Sequence, residues 1–288
     1  MKQGEVYTDT VSVKRPVRWG RLLAYVLGFL WVCAATMPLV LALFSSFKNN
    51  AEIYMRPWQL PTVWRWSNYA DAIKSAHALR AIGNSLLISF LTAGGVILVA
   101  LLASYPMSRK NIWWVKKSYL LFVLAVMIPV HVTLVPISSL ATALRAKNQY
   151  WFLLLVYVAF NMAQSIFLIS GYMNGISREI DEAAIIDGCG EMMILFRILT
   201  PLCKPILATE AIFAFVYAYG ELIFSLSLVS DVNMYPVSRS LLSFYGEGDA
   251  YFGPIFAFII LSMIPSIVVY TLFHNQIQGG VMSGAIKG

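Results

Sequence analysis

Six runs of mostly apolar residues, each about as long as a bilayer is thick, leave this chain few folds to choose from. They cover 22–44, 86–107, 119–140, 151–173, 208–229 and 254–273. A helix needs about 20 such residues to cross hydrocarbon, where every backbone amide must find its partner within its own segment. The chain is 59% hydrophobic and only 12% charged, with a mean hydropathy of +0.71, which excludes an ordinary soluble domain. The expected fold is an all-α integral membrane protein with six transmembrane helices. Its organisation reads as a tail over 1–20, a transmembrane domain over 21–279 and a second tail over 280–288.

Six crossings put both termini on one side, and positive charge indicates which. Of the 21 Lys and Arg residues, thirteen fall on the side of the termini, and the short 108–117 segment alone holds Arg109, Lys110, Lys116 and Lys117. Such residues are retained in the cytoplasm, so the termini are expected there. The net charge of +7 then reflects orientation and implies no nucleic-acid partner. The first run has no small-residue cleavage site behind it and reads as a retained anchor. Between the first two runs, Tyr54, Trp58, Trp64 and Trp66 suit a headgroup layer or an external partner. In the third run, Pro129 and Pro136 are each expected to bend the helix, as is Pro265 in the sixth.

No catalytic, cofactor or metal site is expected. Cys33, Cys189 and Cys203 are scattered, as are His77, His131 and His274, so neither a disulfide framework nor ligand spacing appears. Gly279 and Gly284 have phosphate-loop spacing, but Ala285 and Ile286 stand where Lys and Ser or Thr are required.

Between the fourth and fifth runs, 182–205 read EAAIIDGCGEMMILFRILTPLCKP. Holding Glu182, Asp187 and Glu191 in lipid is costly, so this segment is expected outside it. Ser177 can cap a helix whose first turn carries Glu179 and Asp181, placed to suit the helix dipole. Ile180, Ala183 and Ala184 then share a face, and Asp187 with Gly188 ends the helix, glycine tolerating the positive φ of a sharp reversal. A second helix is expected from Glu191 to about Leu199, stopped by Pro201. Small side chains at Ala183 and Ala184 let a partner surface come close. The physics leaves a docking element and an ordinary amphipathic loop both open.

The segment resembles the EAA loop of bacterial ABC importer permeases, through Glu182, Ala183, Ala184, Asp187, Gly188, Phe196 and Pro201. Cys189 stands where that family usually has Ala, and Ser177 replaces a frequent Pro. The ending GVMSGAIKG, over 280–288, is similar to that of carbohydrate importer permeases, in particular the six-span partner in the maltose transporter. Asn68-Tyr69, Asn84-Ser85 and the stretch from Ile128-Pro129 to Pro136 also fit. The resemblance implies a type I importer permease in a bacterial cytoplasmic membrane. It implies a second permease subunit forming a heterodimer, two ATPase domains carrying ATP and Mg, and an extracytoplasmic sugar-binding protein. The EAA residues would grip the ATPase, and Gly280, Gly284, Ala285, Lys287 and Gly288 would reach its interface. Gly246, Glu247, Gly248 and Asp249 would probe the binding protein.

Polar residues inside the runs are candidates for a solute route, because burying them in lipid is costly. They are His131, Asn161, Gln164, Tyr217, Tyr219 and Glu221, with Glu210 also weighed. Carboxylates, amides and aromatic rings are the groups that bind sugars, but the same residues can instead tie helices together. Family members often carry Trp-Asn plus an acid where this chain has Tyr219, Gly220 and Glu221. An importer of a polyol or glycerol phosphate fits the same pattern. An ion-coupled secondary transporter would leave the 182–205 segment without a role, and a membrane enzyme would need clustered catalytic groups.

Overall fold

The computed structural model describes residues 19–244 and 251–285, and among these the regular structure is helical throughout. The principal helices are α1 (Trp19–Ser45), α2 (Asn50–Met55), α3 (Ser67–Ser75), α4 (Ala78–Arg109), α5 (Trp113–Ala125) and α6 (Leu134–Ala143). They continue with α7 (Tyr150–Asn174), α8 (Glu179–Ile186), α9 (Glu191–Leu202), α10 (Lys204–Gly220), α11 (Ile223–Leu228) and α12 (Phe252–Ala285). Among the described residues, four apolar helical stretches are long enough to cross a membrane: Gly20–Ser45, Ala78–Arg109, Tyr150–Asn174 and Phe252–Phe273. Two bent pairs reach that length together. One joins Trp113–Ala125 to Val130–Ala143 at 98°, and the other joins Glu191–Leu202 to Lys204–Gly220 at 81°.

The third and fifth runs therefore differ from the sequence expectation. In the third, the chain leaves the helix just before Pro129, whose own ψ of 119° is extended. The proline ring disfavours helical geometry at Ile128, which sets the break there. Pro136 bends nothing. It lies in the first turn of α6, where no amide hydrogen is missed. In the fifth, α10 begins earlier than expected, at Lys204, and stops at Gly220. Glu221 is extended, and α11 restarts at Ile223.

At the centre, α4 packs lengthwise against α7 and α10, and α10 against α12. The buried face of α4 is made of small residues, among them Ala81, Ser85, Ser89, Ala93, Ala100 and Ser104. Such residues allow the close backbone approach that drives association of apolar helices in lipid. A methyl group added at Gly95 would lie 3.0 Å from Val158 of α7. By contrast α1 is largely exposed and touches the bundle against α12.

The connections sort into two groups at opposite ends of the bundle. At one end, Asn84 donates to the carbonyls of Asn233 and Tyr235, the Val237 amide donates to Ser85, and Asn148 accepts from the Ser230 amide. There, too, buried Asn68 donates to the carbonyls of Ser46 and Lys48, at 2.8 and 3.0 Å. Lys48 is itself buried, and its ammonium donates to the carbonyls of Arg56 and Pro57. Burial pushes that ammonium below its ordinary pKa, against the opposing pull of Glu52. The other end holds α8 and α9.

Candidate functional site

The segment over 177–202 folds as two short helices joined by a tight turn. The amide of Glu179, the first residue of α8, donates to the Ser177 hydroxyl at 3.3 Å. The cap position itself is Arg178, whose side chain makes no capping bond, so Ser177 stands one residue before the place expected of it. At its other end α8 closes with two bonds, Cys189 amide to Ala184 carbonyl at 2.9 Å and Gly188 amide to Ile185 carbonyl at 3.0 Å. That pair is a Schellman motif, and it requires the φ of +82° found at Gly188. The expected glycine reversal is present.

Pro201 does not end the second helix. Residues Ile194–Leu199 widen into a π turn, and the Thr200 hydroxyl donates to the Leu195 carbonyl at 2.8 Å. The widened ladder accommodates the absent proline amide, so α9 runs on to Leu202 and the chain bends at Cys203 instead.

The two alanines of the motif part company. Ala184 is buried against Ile194 and Leu199, with Tyr105, Ile176 and Ile198 around them, whereas Ala183 is exposed. Ala184 thus serves the packing of α8 onto α9, and Ala183 faces outward. The exposed surface also carries Ile185, Ile186 (86% exposed), Met192, Met193 and Phe196. Apolar side chains this open, beside Glu182 and Asp187, form a surface suited to burial by another protein.

Sequence reasoning missed what anchors this element. Arg109, the last residue of α4, contacts Asp181 of α8 at 2.5 Å, with both side chains largely buried. The same guanidinium donates to the carbonyls of Met173 and Ile176, at 3.0 and 3.3 Å, where α7 gives way to the loop. Arg178 returns a bond to the Ser108 carbonyl at 3.3 Å. Beside them Lys110 bonds Glu191 at 2.9 Å, a contact that raises the lysine pKa. The sequence signal was present, an arginine closing an apolar run and an acid beside the EAA triplet, but nothing in it paired them.

The polar candidates within the spans separate into two places. Glu221 accepts from the Tyr157 hydroxyl at 2.9 Å and from the amides of Phe224 and Ser225 at 2.9 and 3.2 Å. The carboxylate therefore covers the free amides where α11 restarts, just past the break in the chain. His131 Nε2 lies 3.9 Å from Glu221 and its ring stacks on Phe224. Tyr217 meets Tyr157 edge-on, and Asn161 donates to the Tyr157 carbonyl at 2.8 Å. Tyr157 belongs to this cluster and was not singled out from the sequence.

Tyr219 and Gln164 stand outside the cluster. The Tyr219 hydroxyl donates to the Ser262 carbonyl on α12, and its ring stacks on Phe215. Tyr219 also lines a cavity of about 280 Å³ with Val237, Ser238, Ser262 and Ser266. Gln164 is exposed, and Glu210 is buried, accepting from Ser165 at 2.8 Å. Gly280, Gly284 and Ala285 lie along the last turns of α12. Gly246, Glu247, Gly248, Asp249, Lys287 and Gly288 lie outside the described residues.

Residues 95–281 match the family described as "Binding-protein-dependent transport system inner membrane component". The chain is 30% identical over 269 residues to the probable ABC transporter permease protein YurM of Bacillus subtilis, covering 93% of this chain and 89% of that one. It is 26% identical over 268 residues to the diacetylchitobiose uptake system permease protein NgcG of Streptomyces coelicolor, covering 92% and 88%. Among solved structures, it superposes with TM-score 0.77 and 20% identity on a chain of a bacterial ABC transporter involved in the import of the acidic polysaccharide alginate. That match covers 89% of this chain and 95% of the other, and it establishes the likeness of fold. The chain belongs to the inner membrane components of binding-protein-dependent transport systems, as the EAA segment suggested.

Proposed function

We propose that this chain is one permease subunit of an ATP-driven importer for a sugar or oligosaccharide. The observation that carries the reading is α8: a helix closed by Gly188 and presenting Ala183, Ile185 and Ile186 outward, in a chain of this family. The α5–α6 pair counts as one span and α10 with α11 as another, with α9 outside the lipid beside α8, giving six crossings of a bacterial cytoplasmic membrane. The termini and α8 then face the cytoplasm, which fits the sorting of connections into two ends. The partners are a second permease subunit, two ATPase domains that bind ATP and Mg, and an external sugar-binding protein. The sugar reading is supported by the named substrate of the Streptomyces relative.

The mechanism is alternating access. Closure of the ATPase dimer on ATP draws the α8 helices of the two permeases together and opens the spans outward. Hydrolysis releases them. Tails over 280–288 reach the ATPase, and the loop over 246–249 meets the binding protein. Glu221, Tyr157 and Tyr217 hold the broken fifth span in shape, while His131 and Asn161 border it on the side open to solute.

Tagged purification in mild detergent from the native host tests the reading. A second permease and an ATPase should copurify, and Gly188→Asp should lose the ATPase while the chain still inserts. Recovery of the protein alone under several gentle conditions would return an ion-coupled transporter to first place.

A further inference from the structure

At the α8 end of the bundle, one guanidinium joins three segments that are distant in sequence. Arg109 closes α4, contacts Asp181 in the first turn of α8, and bonds the carbonyls of Met173 in the last turn of α7 and of Ile176 just past it. Arg178 binds back to Ser108, so α4 and α8 are tied in both directions. Covalently, α8 is joined to the bundle only through short turns at 175–178 and 187–190. The second turn is held by the Gly188 motif and Ala184 packs on α9, so what the Arg109 and Arg178 contacts add is a direct polar link from α8 to α4.

We infer that Arg109 and Asp181 are positioning residues that make α8 and the inner end of α4 one rigid body. A push or pull on α8 is then delivered into α4, which lies along α7 and α10 and spreads it through the core. This inference rests on the proposed role of α8 as the element gripped by an ATPase. The geometry favours a link of this kind over a surface ion pair. Both side chains are largely buried, and two nitrogens of one rigid guanidinium serve the acceptors, Nε meeting the carboxylate and Nη1 the two carbonyls, a spacing that the single nitrogen of a lysine does not reproduce. Lys110 and Glu191 nearby form the contrasting case, an exposed pair that screening weakens.

The test is a distance measured by paired spin labels at Glu179 on α8 and Leu98 on α4, with Cys33, Cys189 and Cys203 replaced by alanine. In the purified complex the distance should be the same without nucleotide and after trapping with Mg-ATP and vanadate. Asp181→Asn and Arg109→Lys should broaden the distribution about twofold, Asp181→Glu should keep it narrow, and Lys110→Gln should leave it unchanged. A wild-type distance that shifts on trapping, or variants as narrow as the wild type, would overturn the inference. If no ATPase copurifies, the proposed function fails. The comparison of widths in the isolated chain still decides whether the link exists, and Arg109→Lys serves if Asp181→Asn does not fold.

Discussion

At Gly188 the backbone sits at φ +82°, and a methyl group built there meets nothing within 4 Å. The position is therefore limited by backbone conformation rather than by space. Gly188→Ala should cost about 1 kcal/mol in the turn, and Gly188→Asn less, because asparagine visits this region more readily. Limited proteolysis of the 186–190 turn would rank the variants, with alanine cut faster than asparagine. Glu221 is a residue of another kind, tied by its bonds rather than its conformation. Glu221→Ala strands two amides and the Tyr157 hydroxyl, and should destabilise the fold by about 3 kcal/mol. Tyr157→Phe removes one donor and should cost about 1 kcal/mol. Thermal unfolding in detergent measures both, and an Ala variant as stable as wild type would show that Glu221 is not what holds the break.

The elements show where close approach matters. α12 begins beside Asn68, and a methyl group at Gly253 would lie 2.5 Å from both the Asn68 amide nitrogen and the Lys48 carbonyl. Gly253→Ala should lower stability by about 2 kcal/mol, through forced separation of α12 from the α1–α3 connection. Adding Asn68→Ala should not rescue it. The carbonyl stays in place, and the Ser46 and Lys48 carbonyls lose their donor. Melting temperatures of the single and double variants check this directly. The breaks at Pro129 and at Glu221 meet in the bundle through His131 stacked on Phe224. Irregular backbone at membrane depth is tolerated where it is buried in protein or lines a cavity, and here much of it is sealed by Glu221.

For the whole molecule, the two groups of connections define two ends, and the proposed orientation rests on the charge distribution. Single cysteines placed at Lys117 and at Trp58 should label from opposite sides of intact spheroplasts, Lys117 only after permeabilisation. Labelling of both from outside would contradict the cytoplasmic placement of α8. The exposed apolar length of α1, with Trp31 and Phe29 open, leaves that helix free to contact lipid or a neighbouring subunit.

Apolar run length and the EAA pattern made the helical membrane class, four of the apolar helices and the position of α8 legible from residues alone. Both are local properties, set by hydrocarbon thickness and by the φ that one glycine must adopt. The breaks in the third and fifth spans were not legible in detail. One proline of a pair can fall in a helix's first turn, where it costs nothing, and an acid can turn inward to cover freed amides. Pairings such as Arg109 with Asp181 and Glu221 with Tyr157 join residues far apart in sequence. Only the packing of α4, α7 and α10 brings them within reach, because a buried charge or amide bonds whatever the tertiary structure places beside it.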